Sequence, residues 1–317
     1  MTGLLTLSHG DAQIELAPAT GGAIASFTWR GVPILRPTPS EVIEEGNVRR
    51  HACYPLIPYS NRIARGELTY AGQQHRLALN FGNHPHAIHG VGWQRSWRVL
   101  AHDTTTALLT YNHVPADASL PEDPDRRAWP WPFRATQWFQ LGPTADGAAA
   151  ALRMRLALTN TGTQCFPFGM GWHPFFPRNA DTRLGFHADG VWETDDTMLP
   201  TRCPAATGRF DFDLPRRIDD STLDNVFSGW QGGASLEYPD PGYAVNIRGD
   251  TASPFLVVYI PSGDGFLAVE PVTQMTDAFN RAAQGEANTG MRELPPGDAF
   301  SCTMEISVRA LSEISDR

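Results

Sequence analysis

The sequence predicts an all-β protein, a large antiparallel β-sandwich, on three observations. Apolar residues alternate with polar ones over many short stretches, sustained helical periodicity is absent, and turn-forming residues recur at strand-like spacing.

Along the chain, "AIASFTW" (23–29), "ALLTYNH" (107–113) and "FRATQWFQL" (133–141) are the first candidate strands. In "ALRMRLALTN" (151–160), Leu152, Met154, Leu156 and Leu158 point one way and Arg153, Arg155 and Thr159 the other. "PFLVVYI" (254–260) is apolar almost throughout and predicts a strand covered on both faces. "SCTMEISVRA" (301–310) returns to alternation with Cys302, Met304, Ile306 and Val308. Only "DSTLDNVF" (220–227) suggests a short helical turn. Gly72, Gly162, "PDPG" (239–242), "SGDG" (262–265) and "PPG" (295–297) supply the breaks between strands. The stretch "VPADASLPEDPDRRAWPWP" (114–132) predicts a long loop with a Trp-Pro hairpin. No linker, repeat or low-complexity tract interrupts this pattern, so residues 1–317 are expected to form one domain.

A chain of 317 residues with 41% hydrophobic content can bury a large core. Its formal charge of −9 argues against nucleic acid as the main partner, because neutralising phosphates needs a basic face. The opening "MTGLLTLSHGDAQ" lacks the basic and apolar regions of a signal peptide, and no window approaches a membrane span, so a soluble, cytoplasmic protein is expected. Cys53, Cys165, Cys203 and Cys302 are widely spaced, which suits buried free thiols better than a disulfide framework or a zinc knuckle. The chain has no lysine, which excludes an internal Schiff base and pyridoxal phosphate anchored in that way.

Three segments carry residues suited to chemistry. "NFGNHPHAIHGVGW" (80–93) groups His84, His86 and His89. His84 and His86 could share one face of an extended segment, yet the third and fourth ligands of a zinc site do not follow, so no metal is expected. His84 is most simply a loop residue, whereas His89 precedes Gly90, where the backbone can come close to a ligand. "GMGWHPFF" (169–176) sets His173 among Trp172, Phe175 and Phe176; the imidazole is either packed in a core or stands at the mouth of an aromatic pocket. "GFLAVEPVTQMTDAFN" (265–280) ends an apolar strand on Glu270. Glu270 is either a solvent-facing edge residue or a buried base with a raised pKa, and Asp277 and Asn280 could be turn residues. Taken alone, Arg62 belongs to a solvated face and Asp224 is a cap or turn residue.

In this order the fragments resemble the aldose 1-epimerase, or galactose mutarotase, family. Asn61-Arg62-Ile63 with Gly66, Gly72, Asn80 and His89-Gly90 looks like its N-terminal block, and His173-Pro174 looks like its central histidine motif. Asp224-Asn225-Val226-Phe227 resembles the sugar-binding aspartate motif, and Glu270 with Asp277-Ala278-Phe279-Asn280 the C-terminal glutamate block. The resemblance implies a galactose mutarotase-like supersandwich with a sugar cleft and no cofactor. It further implies that Glu270 is the general base for the anomeric hydroxyl, that His173 is the general acid for the ring oxygen, and that Arg62, His89 and Asp224 bind the sugar. Val91 after His89-Gly90, "RRAWPWPFRA" (126–135) and Pro-Val-Thr-Gln after Glu270 depart from the commoner family pattern, and they leave the preferred sugar open.

Three rival readings share this fold. A hexose-6-phosphate 1-epimerase would need a phosphate site, for which Arg65, Arg76, Arg95 and Arg98 are candidates. A non-catalytic sugar-binding protein would need no acid/base pair. A glycoside hydrolase would need a carboxylate facing Glu270, and Asp224 is the candidate.

Overall fold

The computed structural model describes residues 3–115, 127–144, 150–219 and 221–311. Among the described residues the chain is built from two large sheets, and every strand pairing within them is antiparallel. The first sheet runs in the order Leu5–His9, Ala12–Ala17, Ala23–Trp29, Cys53–Leu56, Gly171–Pro177, Phe266–Val272, Phe255–Ile260, Leu223–Ser228 and Gly190–Trp192, with Val32–Pro33 beside Ala23–Trp29. The second runs Arg98–His102, Thr106–His113, Phe133–Gly142, Ala150–Asn160, Ala299–Ala310, Tyr243–Gly249, Gly233–Tyr238, Arg183–Phe186 and Arg216–Arg217.

The second sheet follows the alternation of its sequence. Leu152, Met154, Leu156 and Leu158 are buried opposite Ile306, Met304, Cys302 and Phe300, while Arg155 on the other face is exposed. Each such aliphatic side chain, fully buried, contributes about 1.5–3 kcal/mol. Their inward rows join Ile14 and Phe27 of the first sheet in one core cluster, and Gln137 reaches across to donate from Nε2 to the Gly22 carbonyl at 3.1 Å.

The central strands of the first sheet are covered on both sides. Phe255–Ile260 buries all but Tyr259, in accord with its apolar run. One side meets the sandwich core; the other lies under the segments 57–93 and 273–284, which carry short paired strands Arg62–Ile63 and Ala87–Ile88 and the helix Ala278–Ala283.

Four local expectations change. "DSTLDNVF" forms a strand, Leu223–Ser228, hydrogen-bonded between Phe255–Ile260 and Gly190–Trp192. Its Asp and Ser favour caps locally, but Val226 and Phe227 fit a half-covered sheet, and two flanking ladders outweigh the cap signal. Residues 116–126 of the long loop lie outside the described residues; Trp129 and Trp131 form no strand pair and are buried, with Trp131 stacked on Phe166 at 6.0 Å. Cys53 and Cys302 are buried thiols, but Cys165 is partly open and Cys203 is exposed. Asp277 and Asn280 are more than turn residues. Both are buried, and they fasten segment 64–69: Asp277 Oδ1 accepts the Ala64 N–H at 3.0 Å, and Asn280 Oδ1 accepts the Thr69 N–H at 2.9 Å.

Candidate active site

The covered face of the first sheet sets two rows of side chains side by side. Cross-strand register places Tyr54 opposite His173 and Val257 opposite Glu270, and in the next row joins Phe175, Ala268, Tyr259 and Asp224. Because strand side chains alternate in direction, all of these point the same way. Between Gly171–Pro177 and Phe266–Val272 the ladder is paired at Gly171↔Val272 and again from Phe175↔Ala268. In the gap, Pro174 and Pro271 offer no N–H. His173 and Glu270 meet there, Nε2 to Oε1 at 3.3 Å, with 7% and 2% of their surfaces exposed.

Burial works on both members of the pair in the direction of neutrality. It pushes the Glu270 carboxyl well above the ordinary value, with the Asp224 charge adding to this, and pulls His173 down to about 3, with Arg36 adding to that. Both shifts favour the uncharged forms, a carboxyl on Glu270 beside a neutral imidazole on His173. Glu270 Oε2 has no hydrogen-bond partner among the described residues.

The roof of the cleft comes from segment 57–93. His89 has a left-handed backbone at φ 61°, and its Nδ1 accepts the Asn61 N–H at 3.1 Å. That bond assigns the remaining proton to Nε2, which makes the neutral ring a donor. Gly90 follows at φ 68°, and a Cβ there would lie 2.2 Å from the Ile57 carbonyl oxygen, so only glycine fits. Arg62 donates to Asn61 Oδ1 at 3.0 Å and to Asp224 Oδ2 at 3.0 Å, the latter contact forming an ion pair. Asp277 accepts through none of these groups but donates its backbone N–H to the Arg62 carbonyl at 2.8 Å, holding the arginine's strand in place.

These elements enclose a cleft of about 270 Å³, near the lower bound for small-molecule sites, about 300 Å³. The five residues to which the family resemblance assigns roles all line it: Arg62, His89, His173, Asp224 and Glu270. His84 lines it too, against the expectation of a plain loop residue, and takes an Arg62 N–H at its Nε2 at 3.4 Å. His86 turns away and is occupied by the Arg65 N–H at 2.9 Å and the Thr197 carbonyl at 3.1 Å. Arg65, Arg76, Arg95 and Arg98 are absent from the lining; Arg65 instead pairs with Glu67 at 3.5 Å. The cations that do reach the cleft besides Arg62 are Arg36 and Arg49, which no sequence motif marked. Tyr54, Phe175, Tyr259 and Phe266 supply aromatic walls.

Comparison with known proteins covers almost the whole chain. The sequence model of the aldose 1-epimerase family matches residues 3–307.

The chain belongs to the aldose 1-epimerase family.

Among its relatives is the uncharacterized protein YphB of Escherichia coli (strain K12), 31% identical over 315 residues, with 96% of this chain and 98% of that protein aligned. A solved structure from Escherichia coli K12 superimposes with a TM-score of 0.83 at 27% identity, covering 97% of this chain and 99% of that one. A galactose mutarotase-like protein from Clostridium acetobutylicum shares the fold, with a TM-score of 0.81 at 20% identity and 96% and 95% coverage. Among the described residues, no helix is long and apolar enough to cross a membrane.

Proposed function

We propose that this chain interconverts the α and β anomers of a free aldohexose by general acid/base ring opening and closure. The observation that carries the reading is the 3.3 Å contact between His173 Nε2 and Glu270 Oε1 at the floor of the cleft. The anomeric hydroxyl and the ring oxygen of a hexose sit on the same carbon, so an acid and a base for these two oxygens must stand next to each other.

In ring opening, Glu270 as carboxylate takes the proton of the anomeric hydroxyl. The carbon–oxygen bond to the ring oxygen breaks, a carbonyl forms, and His173 as imidazolium protonates the departing ring oxygen. Rotation about the bond beside the carbonyl carbon, followed by closure on its other face, returns both protons and gives the other anomer. The pair holds one proton throughout. Burial favours the proton on Glu270, the pair's state beside the open-chain aldehyde, and its transfer across the 3.3 Å contact to His173 prepares the pair for ring opening. His89 Nε2–H and the Arg62–Asp224 pair are suited to holding sugar hydroxyls, with Tyr54 and Phe175 as apolar walls. Each positioned acid or base is worth about 10²–10⁴-fold. The engagement of Asp224 by Arg62 favours a binding role over that of a second catalytic carboxylate in hydrolysis.

Polarimetry on freshly dissolved α-D-glucose and α-D-galactose tests this reading: the protein should speed the approach to equilibrium, and chelator should leave the rate unchanged. Equal rates with and without protein, for these sugars and for glucose 6-phosphate, would remove it.

A further inference from the structure

We propose that Arg36 is a positioning residue for His173, acting through the ring of Phe175 that lies between them; this rests on the acid role given to His173 above. Four side chains form one continuous stack. The Arg36 guanidinium is held between Phe266 and Phe175, with its Cζ 4.4 and 3.9 Å from their centroids. The imidazole of His173 lies on Phe175 at 4.3 Å between centroids, inclined by 25°. Two planar groups this close to one ring centroid must occupy its opposite faces, so Arg36 backs the ring that covers His173.

This stack stands where a catalytic histidine is commonly tethered by a hydrogen bond from its second ring nitrogen. His173 Nε2 meets Glu270 at 3.3 Å, and Nδ1 has no partner in any other described residue. A single polar contact leaves the imidazole free to turn about it, so its orientation falls to packing. Tyr54, its cross-strand neighbour, lies 4.9 Å from it, and Phe175 covers its face. Arg36 in turn is fixed at both ends. Its backbone N–H donates to the Phe175 carbonyl at 2.8 Å and its Nη2 to the His51 carbonyl at 3.0 Å.

The stack also sets a permanent charge behind the acid. His173 is faced by Glu270 from the adjoining strand, by Cys53 and Tyr54 from the strand on its other side, by His89 and Arg62 from the roof, and by Arg36 behind Phe175. Burial keeps Cys53, Tyr54 and His89 uncharged. Arg62 is paired with Asp224, whereas Arg36 has no carboxylate within ion-pair distance among the described residues. Around Arg36 stand Arg50, the exposed Asp264 and the phenols of Tyr54 and Tyr259. Burial first and Arg36 second hold His173 down to about 3, against the pull of its own carbonyl. The imidazolium formed for ring opening is thereby scarce but strongly acidic, and gives its proton readily to a weakly basic ring oxygen.

The test joins a titration without sugar to kinetics. The His173 ring, assigned by comparison with His173→Asn, is followed by NMR from pH 8 to pH 4 in wild type, Arg36→Met and Arg36→Lys. Arg36→Met removes the charge, and its His173 should take up a proton at higher pH than in wild type. Arg36→Lys keeps the charge and should restore the wild-type titration. In mutarotation, Arg36→Met and Phe175→Leu should each lower kcat by about ten- to a hundredfold with KM little changed, the cost of displacing a catalytic group by up to an ångström. Thermal melts establish that each variant is folded. A His173 titration identical in Arg36→Met and wild type, or a loss confined to KM, would overturn the positioning role and leave anomer exchange standing. A wild type that accelerates no sugar would remove the acid role, and the proposal with it, whatever the titration shows.

Discussion

Strands Ala150–Asn160 and Gly171–Pro177 are close in sequence and differ in what their two faces meet. From Leu152 onward the first alternates: leucines and a methionine face the core, and Arg153 and Arg155 face outward, with Arg153 paired to Glu305 at 2.8 Å. The second is buried at every position but its last, because Trp172 and Phe176 enter the core while His173 and Phe175 face a covered cleft. One strand gains stability from its inner row and leaves its outer row to solvent. The other places a titratable group where a protein can change its proton affinity, at the cost of burying a polar atom, His173 Nδ1, without a partner among the described residues. The contrast separates residues that support the fold from residues suited to chemistry, and it can be broken by substitution.

The largest effects should fall on His173 of the second strand and on Glu270 of the adjoining strand Phe266–Val272, and be seen in rate. His173→Asn and Glu270→Gln should each lower turnover by about 10²–10⁴-fold while melting curves stay cooperative. Near-normal turnover in either variant would end that residue's assignment to acid/base work. Leu156→Ala, on the first strand, should do the reverse: a loss of about 2–5 kcal/mol in denaturant unfolding with unchanged turnover per folded molecule. An activity loss in that variant beyond its unfolded fraction would show that the two sheets are coupled.

Asp224→Asn should weaken sugar binding by about tenfold, since it removes the charge that holds Arg62 at 3.0 Å, and KM should change more than kcat. The smallest effect concerns pH. Glu270 has a raised pKa in the folded protein, so between its ordinary value of 4.5 and the raised one the folded state binds more protons than the unfolded state. Stability contributed by this group is complete below pH 4.5 and is lost as pH rises through that window. Glu270→Gln cannot ionise, so its melting temperature should gain on wild type as pH rises above 4.5 and show no such gain below it. A constant difference from pH 4 to 8, measured by calorimetry, would contradict the buried carboxyl.

The legibility of the sequence followed the same division. Strands with one wet face, such as Ala150–Asn160 and Ala299–Ala310, were readable because water on one side enforces alternation. Leu223–Ser228 was misread as a helical turn because both its neighbours, Phe255–Ile260 and Gly190–Trp192, are distant in the chain and only they stabilise it as a strand. His89, His173 and Glu270 stood out through their glycine, aromatic and proline neighbours. Arg36, in "PILRPTPS", also precedes a proline but belongs to no motif, and its position against Phe175 and Phe266 is created entirely by folding.

By itself, the sequence determined the all-β class, the inward rows of the second sheet and the residue types available for proton transfer, since these depend on side-chain chemistry and a period of two. Tertiary structure alone decided that Tyr54, His173 and Glu270 share one face, that His173 and Glu270 meet at 3.3 Å, and that Arg36 and Arg49 rather than Arg65, Arg76, Arg95 or Arg98 reach the cleft. The physical reason is register. Tyr54, His173 and Glu270 come from three strands far apart in the chain, and a slip of one residue would send each of these side chains to the opposite face.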